Sequence, residues 1–320
     1  MPAPKAFASS ADLDAKEQVL EFLADGVYAL TAEGDPNVGA IEGEDFLVCF
    51  EAMATPVAAR EWLSRLRQHT DKPVRYLVLS HYHAVRVLGA SAFEAEIIVT
   101  HENTRGLIGE RGRQDWESEY ARMPRLFKEP ASIPGLTWPT ATFTDRFTID
   151  LGGGRGDLVL QYCGRGHTEG DIVAWLPGRR ILFAGDLVEA QAALYTGDAF
   201  HREWASGTLD RVAALGAETL VGDTPPGADR VPGVQHVPLL HDRLGTGRVS
   251  LRALVEQHHR QAPAGQHQRR GLPHRPVAND CHERRHRLSP AVRPRLPGPA
   301  APSRSAAARC QTVRPTAGRR

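Results

Sequence analysis

Aromatic residues are absent from the last third of this chain. All 21 Trp, Tyr and Phe residues lie before Gly222, and so does every lysine. Residues 223–320 hold 18 arginines against 6 acidic residues, a net +12, so with a whole-chain charge of +1 the first 222 residues carry −11. The same segment has 13 of the 23 prolines and 8 of the 14 histidines. Without aromatic side chains, the largest contributors to apolar cores, it cannot be expected to bury much surface. Arg, Pro, Ala, Gly, His and Ser are what GC-rich codons yield when read out of frame, so a reading-frame change near residue 222 is expected. The competing readings are a solvated tail and a basic arm for nucleic acid or an anionic surface, with one short helix at 247–259. Nucleic acid is not the expected partner.

Cysteine is also scarce. Cys49 and Cys163 fall in strand-like runs and are expected to be small buried residues, while Cys281 and Cys310 lie in the aromatic-free segment. No Cys-x-x-Cys appears, so a cysteine-rich zinc site is not supported. Long apolar runs are missing too. Nothing approaches the length of a membrane span, and Met1-Pro2-Ala3-Pro4-Lys5 does not lead into an apolar segment of signal-peptide length. A cytoplasmic protein without a membrane partner is the expectation.

What is present is a set of histidines and carboxylates at the ends of apolar runs. His81 and His83 follow Tyr76-Leu77-Val78-Leu79-Ser80, His167 lies in Gly166-His167-Thr168-Glu169-Gly170-Asp171, and Asp186 follows Ile181-Leu182-Phe183-Ala184-Gly185. Residues i and i+2 of an extended segment point the same way, so His81 and His83 can pinch one ion. Imidazole suits zinc, iron, copper and nickel alike, so donor type alone does not name the metal.

With these pieces in order, residues 22–222 resemble the metallo-β-lactamase-fold superfamily. Asp25–Leu30 resembles its opening strand, Asn37–Ile41 the turn and strand near the site, and Thr70–His83 the strand leading to the metal-binding histidines. Gly166–Asp171 and Phe183–Asp186 resemble the third-histidine and bridging-aspartate motifs. The resemblance implies an α/β fold, an αββα four-layer sandwich whose last part is incomplete here. Residues 1–21 then form an N-terminal extension, and 223–320 the tail.

The departures from the family pattern are informative. Where the family reads His-x-His-x-Asp-His, this chain reads His81-Tyr82-His83-Ala84-Val85-Arg86, and Thr219–Asp223 lacks the family's later histidine. The resemblance therefore implies a complete first metal position, His81, His83 and His167 with Asp186, and no second one. Val85 cannot coordinate, and Arg86 does not lose its proton. Arg86 balances the charge of Asp186, docks an anionic group of a substrate, or is a plain surface or structural arginine. At the place of a family aspartate after the second strand stands Phe50-Glu51, from which nothing firm follows.

One zinc, Zn2+, with an open position suffices to hydrolyse an ester, thioester or lactam of a small molecule, with Asp186 as ligand or water-orienting group. Without an aspartate at 85, slow or specialised hydrolysis is expected. The alternative is a sulfur dioxygenase holding Fe2+ through His81, His167 and Asp186; a third reading is a degenerate fold that binds metal without chemistry. Other residues receive structural readings: His101 as a cap or buried group, Asp171 and Thr168 as turn acceptors, His69 and His201 as surface residues, and Trp175 as strand packing.

Pattern and turn residues place strands at 26–31, 37–50 (with a turn at 43–45), 74–80, 95–100, 147–151, 157–163, 172–176, 180–184 and 218–221. Helices are placed at 56–69, 102–123 and 208–215. Gly109 and Gly112 weaken the start of the second helix, which is expected to cover the site.

Overall fold

The computed structural model describes residues 10–32, 35–189, 195–223 and 234–236. The chain divides into two units, 1–266 and 267–320, and all described residues belong to the first. Of the tail, residue 223 and residues 234–236 are described, the latter as a strand of the second sheet, while the helix expected at 247–259, Cys281 and Cys310 lie outside the described residues.

Two sheets form. The first contains β1 (Gln18–Ala24), β2 (Val27–Ala32), β3 (Val38–Glu42), β4 (Leu47–Phe50), β5 (Val74–Val78), β6 (Ile97–His101) and β7 (Ala141–Phe143) in that spatial order. Its first four strands are antiparallel, and β4 to β7 run parallel. The second sheet has the order β13 (Val234–His236), β12 (Thr219–Asp223), β11 (Ile181–Glu189), β10 (Ile172–Leu176), β9 (Asp157–Tyr162), β8 (Arg146–Asp150), in which the β11–β12 pair is parallel.

The two-residue period of each strand assigns its side chains to two different cores. Val48 and Phe50 of β4 face the second sheet, whereas Leu47 and Cys49 face helix α1 (Pro56–Leu66). Ile172 and Ala174 of β10 join the core between the sheets, while Val173 and Trp175 pack outward with Trp204, Leu209 and Val212. Those three residues belong to a helical stretch of α4 (His201–Glu203), a π turn (Trp204–Thr208) and α5 (Leu209–Ala214). The result is helix, sheet, sheet, helix, the expected αββα sandwich. The sheets approach closely at Gly39, where an added Cβ would lie 2.3 Å from the Phe183 ring.

The helix α1 starts where Thr55 accepts a hydrogen bond from the Ala58 amide at 3.2 Å and Pro56 takes the first turn. Ala59, Trp62 and Leu66 recur on its buried face. Helix α3 (Glu102–Arg122), following the four-residue α2 (Ala84–Val87), runs unbroken through Gly109 and Gly112. A Cβ on Gly109 or Gly112 would meet Trp138 or Leu136 at 3.6 or 3.4 Å, ordinary contact distances. Strands β1 and β7 are two edges the sequence pattern did not mark, and β1 begins inside the segment read as an extension. No described helix is long and apolar enough to cross a membrane.

Candidate metal centre

The C-terminal ends of β4 and β5 and the interior of β11 meet at one rim of the sandwich. His81 and His83 lie between β5 and α2, and His167 lies between β9 and β10. Asp186 stands inside β11 rather than at its end, just after Gly185, where φ is +53° and the β11–β12 register shifts. A Cβ on Gly185 would come within 2.6 Å of Ser80 Oγ, so glycine keeps both the turn and the serine in place. The Ile172 amide bonds to Ser80 O at 3.0 Å and ties the two halves of the rim together.

All four expected donors converge. Their ligand atoms lie within 4.8 Å of one another. His83 Nδ1 is 3.1 Å from His81 Nε2 and 3.0 Å from His167 Nε2. Asp186 Oδ2 is 3.4 and 3.3 Å from the same two Nε2 atoms. A tetrahedral zinc with bonds of ~2.0–2.1 Å separates its donors by about 3.3 Å, and these four separations are close to that value.

Outer contacts orient the rings. His167 Nδ1 donates to the Tyr195 carbonyl at 3.1 Å, which leaves its Nε2 lone pair facing the cluster. His83 Nε2 points at Asp198 Oδ2, 3.4 Å away, and turns Nδ1 inward. Ser80 Oγ lies 2.8 Å from His81 Nδ1. Nitrogen lone pairs and a carboxylate aimed at one point require positive charge between them, a proton on His83 Nδ1 or a metal ion. The residues therefore fit a divalent cation.

Electrostatics agree with this. Burial holds His81 well below the ordinary histidine range and His167 down at about 4, so both imidazoles are neutral. Burial also works against a charged His83, but the hydrogen bond to Asp198 and the charges of Glu119, Asp115 and Asp186 outweigh it and raise that ring to about 9. Burial would raise Asp186, yet the Arg86 guanidinium above all holds it well below the carboxylate range. Arg86 is buried; Nη2 donates to Asp186 Oδ1, and Nη1 donates to the Asn37 carbonyl at 3.1 Å. Asn37 Nδ2 in turn donates to the Gly222 carbonyl of β12.

Other sequence expectations fall into place around this cluster. His101 caps α3, its Nδ1 accepting from the Asn103 amide at 3.1 Å. Asp171 accepts from the Thr168 amide and hydroxyl at 2.7 and 2.9 Å. Cys49, Cys163 and Trp175 are buried, His69 is exposed and His201 half-buried. The helix expected to cover the site does reach it. Asp115 and Glu119 of α3 accept from the Ala84 and Val85 amides at 2.7 and 2.9 Å, fixing the turn that carries His83.

Several residues at the site were given no role by sequence. Asp198 follows no motif, and Tyr195 is an ordinary loop aromatic. Asp115 and Glu119 have only their four-residue spacing on a polar helix. Ser80 was noted merely as the end of an apolar run. Glu51 is completely buried at φ +67°, and burial pushes its carboxyl up to about 8 against the nearby Arg86.

A family model described as the metallo-beta-lactamase superfamily matches residues 32–224. A type 2 metallo-beta-lactamase of Bacteroides fragilis is 40% identical over 87 residues, 26% of this chain and 34% of that protein. One from Bacillus sp. (strain 170) is 26% identical over 150 residues, 46% of this chain and 49% of its own. The chain thus spans about a third to a half of these curated relatives. A solved metallo-beta-lactamase from Pontibacter korlensis superposes with a TM-score of 0.55 at 20% identity, covering 75% of this chain and 99% of that one. The mono-zinc form of a Pseudomonas aeruginosa metallo-beta-lactamase gives 0.55 at 18% identity, covering 75% and 96%. At such identities these two structures are relatives in fold.

Proposed function

Because the chain belongs to the metallo-beta-lactamase superfamily, we propose that it is a hydrolase of a small molecule that works with one zinc ion held by His81, His83 and His167, with Asp186 beside it as a further ligand or as the group that orients the water. The observation that carries this reading is the convergence of three oriented imidazoles and one carboxylate whose ligand atoms lie within 4.8 Å of one another. When bound, a divalent ion supplies Lewis acidity, acidifying water and polarising a carbonyl.

The side chains define the rest. Arg86 takes up one oxygen of Asp186 and leaves the other for the cluster. It thereby supplies, as a fixed guanidinium, positive charge that a second ion would otherwise bring. Of the roles open to Arg86, its burial and its two partners favour charge balance over docking an anion. Asp186, held far below the usual carboxylate range, is a weak proton acceptor and serves to orient a water rather than to take its proton. Val85 offers no carboxylate in its stead. We therefore propose slow or specialised hydrolysis of an ester, thioester or lactam. The relatives' names do not select among these bonds, because one fold hosts many chemistries.

Elemental analysis by mass spectrometry on the purified full chain, with a His83→Ala control, tests the reading. About one zinc per chain, lost in the control, supports it. Tightly bound iron that survives His83→Ala would move the assignment to oxygen chemistry through His81, His167 and Asp186. Absence of stoichiometric metal would favour a degenerate fold.

A further inference from the structure

A cavity of about 520 Å³, its open mouth included, lies where β1 and β2 meet α1 and the turn Pro124–Leu126. Its walls are mainly aliphatic. Leu30, Met53, Ala54 and Val85 belong to the core between the first sheet and α1, and Ala58 and Leu126 pack against that core. None of the four metal-donor residues lines it, so it stands apart from the site described above. Met53 holds φ at +62°, a left-handed conformation that a residue with a side chain keeps only where its surroundings impose it. The Gly89 amide fixes the Met53 carbonyl there at 2.9 Å.

The charges on the lining cancel in pairs. Arg125 gives Nη1 to Asp35 Oδ2 at 3.1 Å and Nη2 to Asp35 Oδ1, and Nη2 also lies 3.7 Å from Asp12 Oδ2. Lys16 sits 3.0 Å from the other oxygen of Asp12. Lys128, 48% exposed at the side chain, pairs with Glu61. Thr31 donates its hydroxyl to Glu21 Oε1 at 2.9 Å. An ionic ligand would have to break one of these pairs to gain a partner, and would lose its own hydration on entry. One donor is left over. The Arg125 side chain is 15% exposed, and its Nε–H is buried with no acceptor among the described residues. A buried N–H without an acceptor is costly, and an oxygen brought from outside would satisfy it.

We propose that this cavity is a second, metal-independent binding site, for a neutral small molecule with an aliphatic body and one carbonyl oxygen, the class to which aliphatic amides belong. The aliphatic part lies against Leu30, Met53, Ala58 and Leu126, and the oxygen accepts from Arg125 Nε. The unbranched Met53 side chain lets that wall adapt to the shape of the occupant. Apolar walls with one or two placed polar groups are the usual make-up of a small-molecule site.

Hexanamide is the probe, titrated into the full chain by ligand-observed NMR, once with the protein metal-free and once with zinc in excess. Equal affinity in the two states is expected, because no metal donor lines the cavity. Shorter amides should bind roughly fourfold more weakly for each methylene removed. Hexanoate and hexylamine, of the same length but charged, should bind roughly tenfold more weakly or worse. Ala58→Leu fills the space with a good helix former and should abolish binding. Arg125→Lys keeps a positive charge opposite Asp35 but removes the Nε donor, and should weaken hexanamide about tenfold. Hexanamide that binds only with zinc present is a metal ligand, and the proposal falls. It falls equally if affinity ignores chain length, if hexanoate or hexylamine binds as well, if Arg125→Lys changes nothing, or if binding survives in an Ala58→Leu protein with a normal melting curve. No binding of any amide leaves water as the occupant and overturns it outright. The chain-length series needs no substitution, so the proposal stays testable should Ala58→Leu fail to fold.

Discussion

Replacing Arg86 by Met tests whether a guanidinium substitutes for positive charge at the second position of the site. The side chain is 2% exposed and its terminal nitrogens hold Asp186 and the Asn37 carbonyl. Methionine preserves much of the length and apolar bulk but leaves the Asp186 carboxylate without its fixed counter-charge. Removing one partner of a buried pair costs about 3–5 kcal/mol. At ~2–4 °C per kcal/mol for a domain of this size, the metal-free variant should melt roughly 6–20 °C below the parent. With zinc bound, the ion supplies charge to Asp186 and the deficit should shrink by at least half. By linkage, the variant should bind zinc more tightly than the parent. Asp186 is held below its unfolded value, so its contribution is present above about pH 4 and is lost as pH falls through the folded value. The gap between variant and parent should close accordingly in acid. Circular-dichroism melts of metal-free and zinc-saturated protein decide the matter. An equal deficit with and without zinc would reduce Arg86 to a packing element and refute the reasoning.

Glu51→Gln should flatten part of the pH dependence of stability. The Glu51 carboxyl is raised to about 8 by burial, so its contribution falls as pH rises from about 4 to 8, at up to ~1.4 kcal/mol per pH unit; urea titrations that show the same slope in the variant would contradict this. Asp198→Asn removes the carboxylate facing His83 Nε2 and should weaken zinc binding about 10–100-fold in competition with a chelator; unchanged affinity would remove Asp198 from the site. Trp62→Ala, which empties a fully buried position between α1 and the first sheet, should cost about 3–5 kcal/mol in urea unfolding without altering zinc stoichiometry. Resequencing around residue 222 and translating the other two frames should restore aromatic residues and helical periodicity downstream, and two frames without them would sink the reading-frame proposal.

The donor set was legible because its chemistry and its setting coincide. Histidine is uncommon, His-x-His after the apolar run ending at Ser80 is less common still, and strand ends can converge. The layers were legible for the same kind of reason: Val48 and Phe50 against Leu47 and Cys49 is a period of two that both faces obey. The edge strands β1 and β7 were not. Burial along β1 is almost uniformly intermediate, so its composition carries no alternation to read. Asp186 was placed at a strand end because Gly185 reads as a stop, whereas the glycine introduces a bend and β11 continues to Glu189.

What sequence could not supply is the second ring of contacts, since Asp115, Glu119, Asp198 and Tyr195 are common residue types whose roles come from where α3 and one loop are laid. Their arrangement explains how a shell with an altered motif can still be held. The family pattern places an aspartate and a histidine where this chain has Val85 and Arg86. The resemblance implies that those two help hold a second metal, so losing them removes the ion that would stand beside Asp186. Here the amides of Ala84 and Val85 are held from α3, and the charge next to Asp186 comes from Arg86. Neither replacement reaches the face of His81, His83 and His167 that a metal would occupy. The altered motif therefore changes the partners available for a proton while leaving the donors converged, which is the physical reason to expect metal binding to survive in this chain even where hydrolysis is slow.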